Sequence, residues 1–247
     1  MGLPSKDMIE KWILPHLPTG KRGFATAPLS EIVDCIFHRL KTGCQWRELP
    51  TQAFFKDRPL NWNTVFYYWN KWSKAGCWQK IWINMLKANR KHLDLSSLQL
   101  DGSHTPAKNG GEAVAYQDRK SCRTTNALFV SDNQGVMLAM AAPQAGNRHD
   151  LFEIEQLFKQ ICELLKQAGI DLRGLFVNAD PGFDAASLAD LCHREQILPN
   201  IKPNPRNTKQ QEPYRSGSPV FDEQLYTLCN RARKRLDRRF QSPSGAV

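Results

Sequence analysis

The spacing of apolar and polar residues divides the chain into a helical first third and a mixed remainder. A first helix is predicted with Ser30 as its N-cap and Gly43 at its end. Its buried stripe consists of five apolar residues at helical spacing: Ile32, Val33, Ile36, Phe37 and Leu40. A second helix is predicted from Asn63 to near Gly76, and a third over about residues 78–91. All seven tryptophans lie in this third, and we expect them to pack in its core rather than to stack on nucleic-acid bases.

From about residue 96 the pattern changes to short apolar runs typical of strands, at residues 98–100, 126–130, 136–142, 175–179 and 197–201. A turn at residues 132–135 joins the second and third of these strands. Asp150 is the predicted cap of a long amphipathic helix ending at Gly169, with Glu153 in the capping-box position. Further helices are predicted over residues 185–196 and from residue 221. The pattern therefore predicts a helical module followed by an α/β domain.

Composition limits the classes of protein that the chain can form. Of its 247 residues, 41% are hydrophobic, which is enough for a sizeable core. No apolar run reaches membrane-spanning length and no leader pattern is visible, so we expect a cytoplasmic protein without a membrane partner. The seven cysteines are odd in number and include no CxxC pair, which favours reduced thiols over disulfides or a zinc site.

The net charge of +10 suggests a polyanionic partner. The excess is uneven, because residues 229–247 hold six basic residues and a single acidic one, Asp237. The rest of the chain is only mildly basic. Charge therefore supports nucleic-acid binding without deciding it.

Two aspartates follow short apolar runs: Asp101 after residues 98–100, and Asp180 after residues 175–179. If these strands are neighbours, both carboxylates meet at one edge of the sheet, where such oxygen ligands suit Mg²⁺ and phosphodiester chemistry. Alternatively, each aspartate merely begins a turn, because Asp-Gly and Asp-Pro-Gly are favourable turn sequences. An aspartyl-phosphate phosphatase is a further alternative, but it would need an acid where Ser103 stands.

Several ordered blocks resemble the DDE transposases of bacterial insertion sequences. Residues 98–112 (LQLDGSHTPAKNGGE) resemble the first catalytic block, and residues 178–184 (NADPGFD) resemble the second. Residues 126–135 and 145–150 are similar to the blocks between them. In the first third, GKRG at 20–23 and LKTGCQWRELP at 40–50 resemble the N-terminal helical domain of the family. The resemblance extends to about Leu228.

The resemblance implies a small all-α DNA-binding domain over residues 1–92 and an RNase H-like domain, a mixed sheet flanked by helices, over residues 96–228. It implies DNA cleavage and strand transfer that depend on Mg²⁺ or Mn²⁺, with Asp101 and Asp180 as the first and second catalytic acids and metal ligands. The implied partners are double-stranded DNA, as element terminal repeats and target, and a second copy of the chain in an active homodimer. A bacterial, nucleoid-associated location follows from these partners.

The third acid of the family is missing. It should lie in a helix shortly after the block FDEQLY at residues 221–226, yet no glutamate follows Glu223. Back-translation permits a reading frame, shifted by one nucleotide at Cys229, that encodes the family pattern of this helix. We therefore expect residues 229–247 to be a basic tail read out of frame, the alternative being an authentic DNA-binding arm. Glu223 is expected to be a solvated residue near a helix start.

With two acids of three, the chain would hold a metal poorly. The sequence thus leaves open a transposase that is inactive as given and a non-catalytic protein that recognises element ends. His149 and Asp150 fall in a family block, but we expect only a local turn at a helix start. Candidate DNA contacts, each of which could instead be a solvated surface charge, are Lys21, Arg22, Lys41, Arg47, Arg119, Lys120 and Arg123.

Overall fold

The computed structural model describes residues 4–18, 27–55, 60–107, 111–206 and 221–227. The chain forms two compact units, which divide between Ala88 and Asn89. No helix within the described residues is both long enough and apolar enough to cross a bilayer.

The described part of the first unit is helical. Its helices are α1 (Lys6–Trp12), α2 (Leu29–Thr42), α3 (Thr51–Phe54), α4 (Trp62–Lys74) and α5 (Cys77–Asn89). Gly43 ends α2 with a left-handed φ of 70°, as its sequence position predicts. Both predicted N-caps are wrong. Ser30 is buried inside α2, which Pro28 precedes, and Asn63 is the second residue of α4, which is capped by the Asn61 side chain.

Aromatic packing forms the core of the first unit. Trp72 is completely buried, and its ring lies 5.1 Å from that of Tyr68 and 5.9 Å from that of Trp78. Apolar side chains of α1 and α2, including Ile9 and Ile36, belong to the same buried cluster. The prediction that the tryptophans form a core is confirmed for Trp72. The remaining described tryptophans are partly buried.

The described residues of the second unit form one mixed sheet with the order β2-β3-β1-β6-β7. Its strands are β1 (Leu98–Pro106), β2 (Ala115–Gln117), β3 (Cys122–Ser131), β4 (Met137–Met140), β5 (Gln144–Ala145), β6 (Phe176–Ala179) and β7 (Leu198–Ile201). β1 runs antiparallel to β3 and parallel to β6, which in turn is parallel to β7. β2, β4 and β5 pair with successive parts of β3. The short strands β2 and β5 are absent from the sequence-based prediction.

The predicted hairpin turn at residues 132–135 is present between β3 and β4. The buried Asp132 carboxylate holds it, because its Oδ1 accepts hydrogen bonds from the backbone N–H groups of Gln134 and Val136 at 3.0 and 2.7 Å. Its Oδ2 accepts a further bond from the Asp94 N–H at 3.1 Å, which ties the turn to the segment that enters β1.

Two helices cover the sheet: α6 (Ile154–Gln167) packs against β3 and β4, while α7 (Ala186–Arg194) packs against β7 and α6. The helix is amphipathic, as predicted, but the predicted capping box is wrong. Its buried residues are Ile154, Leu157, Phe158, Ile161, Cys162 and Leu165. The helix starts only at Ile154, and Glu153 precedes it with a left-handed φ of 52° and makes no capping hydrogen bond. Asp150 lies in the turn before this, where its carboxylate is used in a tertiary contact instead.

Gly146 provides a test of the close contact between β5 and β3. A Cβ atom at this position would overlap both Oγ1 and the carbonyl oxygen of Thr124, to which the Gly146 N–H donates a hydrogen bond at 3.0 Å. We expect Gly146→Ala to lower the free energy of unfolding by about 1–3 kcal/mol, because the backbone must move apart. Urea unfolding measures the change. Gly182→Ala, where nothing lies within 4 Å of the added Cβ, is the control. Equal stability of Gly146→Ala and the wild type would contradict the packing described.

Candidate active site

Parallel pairing of β1 with β6 joins Leu98 to Val177 and Gln99 to Asn178, and it ends two residues before Asp101 and Asp180. Gln99 faces Asn178 across this ladder, and each aspartate lies two residues further along its own strand direction. Residues at equal positions on neighbouring parallel strands lie about 4.8 Å apart in the backbone. Continued by two residues, this register would bring Asp101 level with Asp180, just past the carboxyl end of β6.

Asp101 differs from its prediction in one respect: it lies inside a strand and not at the end of one. β1 continues to Pro106, because the long strand β3 pairs with it along this whole segment, with Phe129 facing Asp101. The proposed Asp-Gly turn is therefore wrong. Asp101 is only 7% exposed, and its Oδ1 accepts a hydrogen bond from the Gly102 N–H at 2.8 Å.

Asp180 follows the last residue of β6, as predicted, and precedes a 3₁₀ turn formed by Pro181–Phe183. The Phe183 N–H donates to the Asp180 carbonyl oxygen at 2.9 Å, so a turn does begin here. The side chain has a second role, because the Tyr226 hydroxyl donates a hydrogen bond to Asp180 Oδ1 at 2.7 Å. The Asp180 carboxylate is thus held from a segment 46 residues further along the chain.

Two asparagines, which sequence reasoning missed, dock that segment onto the sheet. Asn178 on β6 and Asn200 on β7 face each other and are both buried. Asn200 Nδ2 donates to Asn178 Oδ1 at 2.7 Å and to the Asp222 carbonyl oxygen at 3.1 Å, while its Oδ1 accepts from the Asp222 N–H at 2.8 Å. The available signal was an amide in the middle of each of two otherwise apolar strands.

Asp222 starts the helical residues 223–227 and thereby directs Tyr226 towards Asp180. Its Oδ1 accepts from the Leu225 N–H at 2.9 Å, and its carbonyl oxygen accepts from the Tyr226 N–H at 3.0 Å. The Lys202 ammonium lies 5.4 Å from the centroid of the Tyr226 ring. Asp180 therefore has a tyrosine beside it, and the lysine that follows β7 lies near the ring of that tyrosine.

Further along β1, His104 and Asp150 form a polar group next to Gly102. His104 Nε2 lies 3.7 Å from Asp150 Oδ1, which also accepts from Asn126 Nδ2 at 3.0 Å. A Cβ on Gly102 would lie 2.6 Å from the same carboxylate oxygen.

Burial lowers the pKa of His104 below its usual value, with the Asp150 carboxylate opposing this shift and Lys120 and Arg119 adding to it. His149 makes a local contact, its Nδ1 accepting from the Leu151 N–H at 3.1 Å.

The predicted DNA-contact residues are placed as follows. Arg119 lines a cleft of about 300 Å³ together with His104 and Arg148, and Lys120 Nζ donates to the His104 carbonyl oxygen at 2.7 Å. Arg123 is exposed on β3. In the first unit, the Arg47 guanidinium lies 5.8 Å from the Trp62 ring, and Lys41 is exposed in the last turn of α2. Lys21 and Arg22 lie outside the described residues.

The described residues contain no group of three or more His, Cys, Asp or Glu side chains that could hold a metal ion. No third acid therefore joins Asp101 and Asp180 within this part of the chain. Glu223 is exposed at the first helical residue of segment 223–227. Residues 229–247, expected to be read out of frame, lie outside the described residues. Among the described residues, the predicted acids are therefore Asp101 and Asp180 alone.

Comparison with known proteins connects the first unit to a transposase family. Residues 8–82 match the family model described as "Putative transposase of IS4/5 family (DUF4096)". The match confirms, for this part of the chain, the resemblance to insertion-sequence transposases. No curated protein matches the sequence.

Solved structures give weaker similarities. A piggyBac transposase synaptic complex with hairpin DNA aligns at 12% identity and a TM-score of 0.42, over 85% of this chain and 52% of that chain. The chain thus spans about half the length of that protein. A Mos1 transposase paired-end complex with the left transposon end aligns at 9% identity and a TM-score of 0.31, over 98% of this chain and 82% of that chain. These TM-scores are too low to establish a shared fold, and we infer nothing from them.

Asn200 tests how the Tyr226 segment is docked. We expect Asn200→Ala to lower the free energy of unfolding by about 1–3 kcal/mol, since buried hydrogen-bonding groups of Asn178 and Asp222 lose a partner. We also expect faster hydrogen exchange at the Leu225 and Tyr226 amides. Asn147→Ala, at an exposed position, is the control. Unchanged amide protection in Asn200→Ala would show that the segment is held by other contacts.

His104 predicts a dependence of stability on pH. The pKa of His104 is lowered in the folded state. As the pH falls below about 6.5, the imidazole is therefore protonated more readily in the unfolded chain, and the free energy of unfolding decreases. We expect His104→Gln to reduce the loss of unfolding free energy between about pH 7.5 and pH 5. Denaturant unfolding at both pH values measures it, with His193→Gln, exposed on α7, as the control. An identical loss in His104→Gln and the wild type would contradict the prediction.

Proposed function

We propose that the chain is a DDE-type DNA transposase in which Asp101 and Asp180 hold a divalent metal ion at the edge of an RNase H-like sheet. One observation carries the proposal: each acid lies two residues beyond the parallel pair formed by Gln99 and Asn178, with Asp101 inside β1 and Asp180 directly after β6. The family match of residues 8–82 supports the transposase assignment independently, because it involves a different part of the chain. The mixed sheet, with β3 antiparallel to a parallel β1-β6-β7 core and helices packed on it, supports the RNase H-like assignment.

The chemistry of the donors fits Mg²⁺ or Mn²⁺. Mg²⁺ in proteins is usually bound by one or two carboxylates, with water and substrate phosphates completing its coordination. When bound, such an ion activates a water or a 3′-hydroxyl and stabilises the leaving oxygen of a phosphodiester. The protein's own contribution is to hold the carboxylates in place: the Gly102 N–H orients Asp101, and the Tyr226 hydroxyl orients Asp180.

The proposed substrates are the terminal repeats of an insertion element and its target DNA, cleaved and joined by a homodimer. Arg119, Lys120 and Arg123 would contact DNA phosphates on the same unit as the acid pair. Phosphate contacts of this kind make binding weaker as the salt concentration rises. Lys41 and Arg47 would make equivalent contacts from the first unit.

A second function is favoured by the missing third acid. No glutamate follows Glu223, which is itself exposed. A chain with two acids of three could still bind element ends without cutting them. We propose that strand transfer requires the restored reading frame after residue 228, and that the chain as given binds DNA but cleaves it poorly.

Metal binding tests the acid pair directly. We expect Mn²⁺ to bind the full chain weakly, and Asp101→Asn or Asp180→Asn to weaken that binding by about tenfold or more, since each substitution removes an anionic ligand. Electron paramagnetic resonance of free Mn²⁺ measures the affinity. Asp171→Asn, an exposed carboxylate paired with Arg173, is the matched control. Equal Mn²⁺ affinity in all four proteins would overturn the proposed site.

A strand-transfer assay on pre-cleaved element ends separates the two functions. We expect the chain as given to show little transfer, and a chain whose residues after 228 are replaced by the frame-restored sequence to show Mg²⁺-dependent transfer. Full activity of the chain as given would reject the inactive alternative. End binding by both chains with no transfer by either would favour the non-catalytic function.

A further inference from the structure

The outward face of α4 carries a stripe of residues that suit base recognition in duplex DNA. Asn63, Tyr67, Asn70 and Lys74 are all exposed, and their spacing of i, i+4, i+7 and i+11 places them along one line of the helix. Val65 and Trp72, which are completely buried, lie on the opposite side. We infer that this stripe enters the DNA major groove and reads base edges, an inference that rests on the DNA-binding function proposed above.

The chemistry of the stripe is unusual for a solvent-facing helix. Exposed helical faces normally mix acidic and basic residues, yet neither α4 nor α5 contains an aspartate or glutamate. Asparagine amides can bond both N6 and N7 of adenine in the major groove. Tyr67 is 58% exposed and offers a hydroxyl on a stiff ring, and the Lys71 ammonium lies 5.9 Å from the centre of that ring. Two amides, a phenol and a lysine form a surface that donates and accepts hydrogen bonds without repelling phosphate.

The helix is also held rigidly enough to position these side chains. Asn61 caps its first turn by accepting the Asn63 N–H at 2.9 Å, and Trp72 anchors its inner face among the rings of Tyr68 and Trp78. Its thirteen residues span about 20 Å, at about 1.5 Å per residue. The major groove, about 12 Å wide, admits a helix of this kind along several base pairs.

The distribution of charge along the sequence points to the same partner. Residues 1–88 contain thirteen lysines and arginines against six aspartates and glutamates, whereas residues 89–228 contain fifteen against seventeen. Apart from the tail, the positive charge is therefore concentrated in the unit that contains α4. Such a surface attracts a polyanion, and the amides on the stripe supply the sequence selectivity that charge alone does not.

The test is a selection for binding from a duplex library with a randomised central segment, using the full chain, followed by fluorescence anisotropy on the enriched duplex and on an unrelated duplex. We expect one enriched motif. Asn63→Ala and Asn70→Ala should each bind the enriched duplex about tenfold more weakly and the unrelated duplex as well as the wild type does. Lys74→Gln should weaken binding to both duplexes and reduce the salt dependence by about one phosphate contact.

Gln167→Ala, which removes an exposed amide at the end of α6, is the matched control and should bind both duplexes like the wild type. Tryptophan fluorescence and thermal unfolding verify that each variant is folded. Wild-type affinity of Asn63→Ala and Asn70→Ala for the enriched duplex would overturn the role of α4 and leave the proposed function intact. Failure of the wild type to bind any duplex would overturn both.

Discussion

The backbone ladder between β1 and β6 is the constraint on which the candidate site depends. Parallel strands align residues at fixed intervals, so the register that pairs Gln99 with Asn178, continued by two residues, would bring Asp101 level with Asp180. A shift by one residue would turn one of the two carboxylates to the other face of the sheet. The buried apolar residues Leu98, Leu100 and Val177 favour this register, because a one-residue shift would turn the side chains of one strand to the opposite face of the sheet.

The buried asparagine side chains near the same site require hydrogen-bond partners. Asn178 and Asn200 would be costly inside the sheet if their amides had no partners. Asn200 forms hydrogen bonds with Asn178 and with the backbone of Asp222. These bonds offset the cost of burying the amides and dock residues 221–227 onto the sheet. The same segment carries Tyr226, whose hydroxyl donates a hydrogen bond to Asp180. The block FDEQLY therefore has a structural role at Asp180 that does not depend on whether a third acid follows it.

The first unit is a small helical scaffold that combines an aromatic core with a polar outer surface. Its aromatic core, centred on Trp72, gives α4 a fixed inner face and leaves its outer face available to solvent. The family match covers residues 8–82 of this unit, and the net positive charge outside the tail is concentrated in it. DNA recognition in the first unit and phosphodiester chemistry in the second would thus depend on separate sets of residues, which point mutations can distinguish.

The sequence by itself determined the features that depend on local pattern: the stripe of α6, the turn after β3, the end of α2 at Gly43, and the apolar runs that lead to Asp101 and Asp180. Hydrophobic period and turn chemistry are properties of neighbouring residues, so they can be recognised without a fold. Only the tertiary structure decided that β1 continues past Asp101, that Asp150 bonds to Asn126 instead of capping α6, and that Tyr226 holds Asp180. Each of these depends on a partner more than twenty residues away, whose position is set by strand pairing and burial rather than by local sequence.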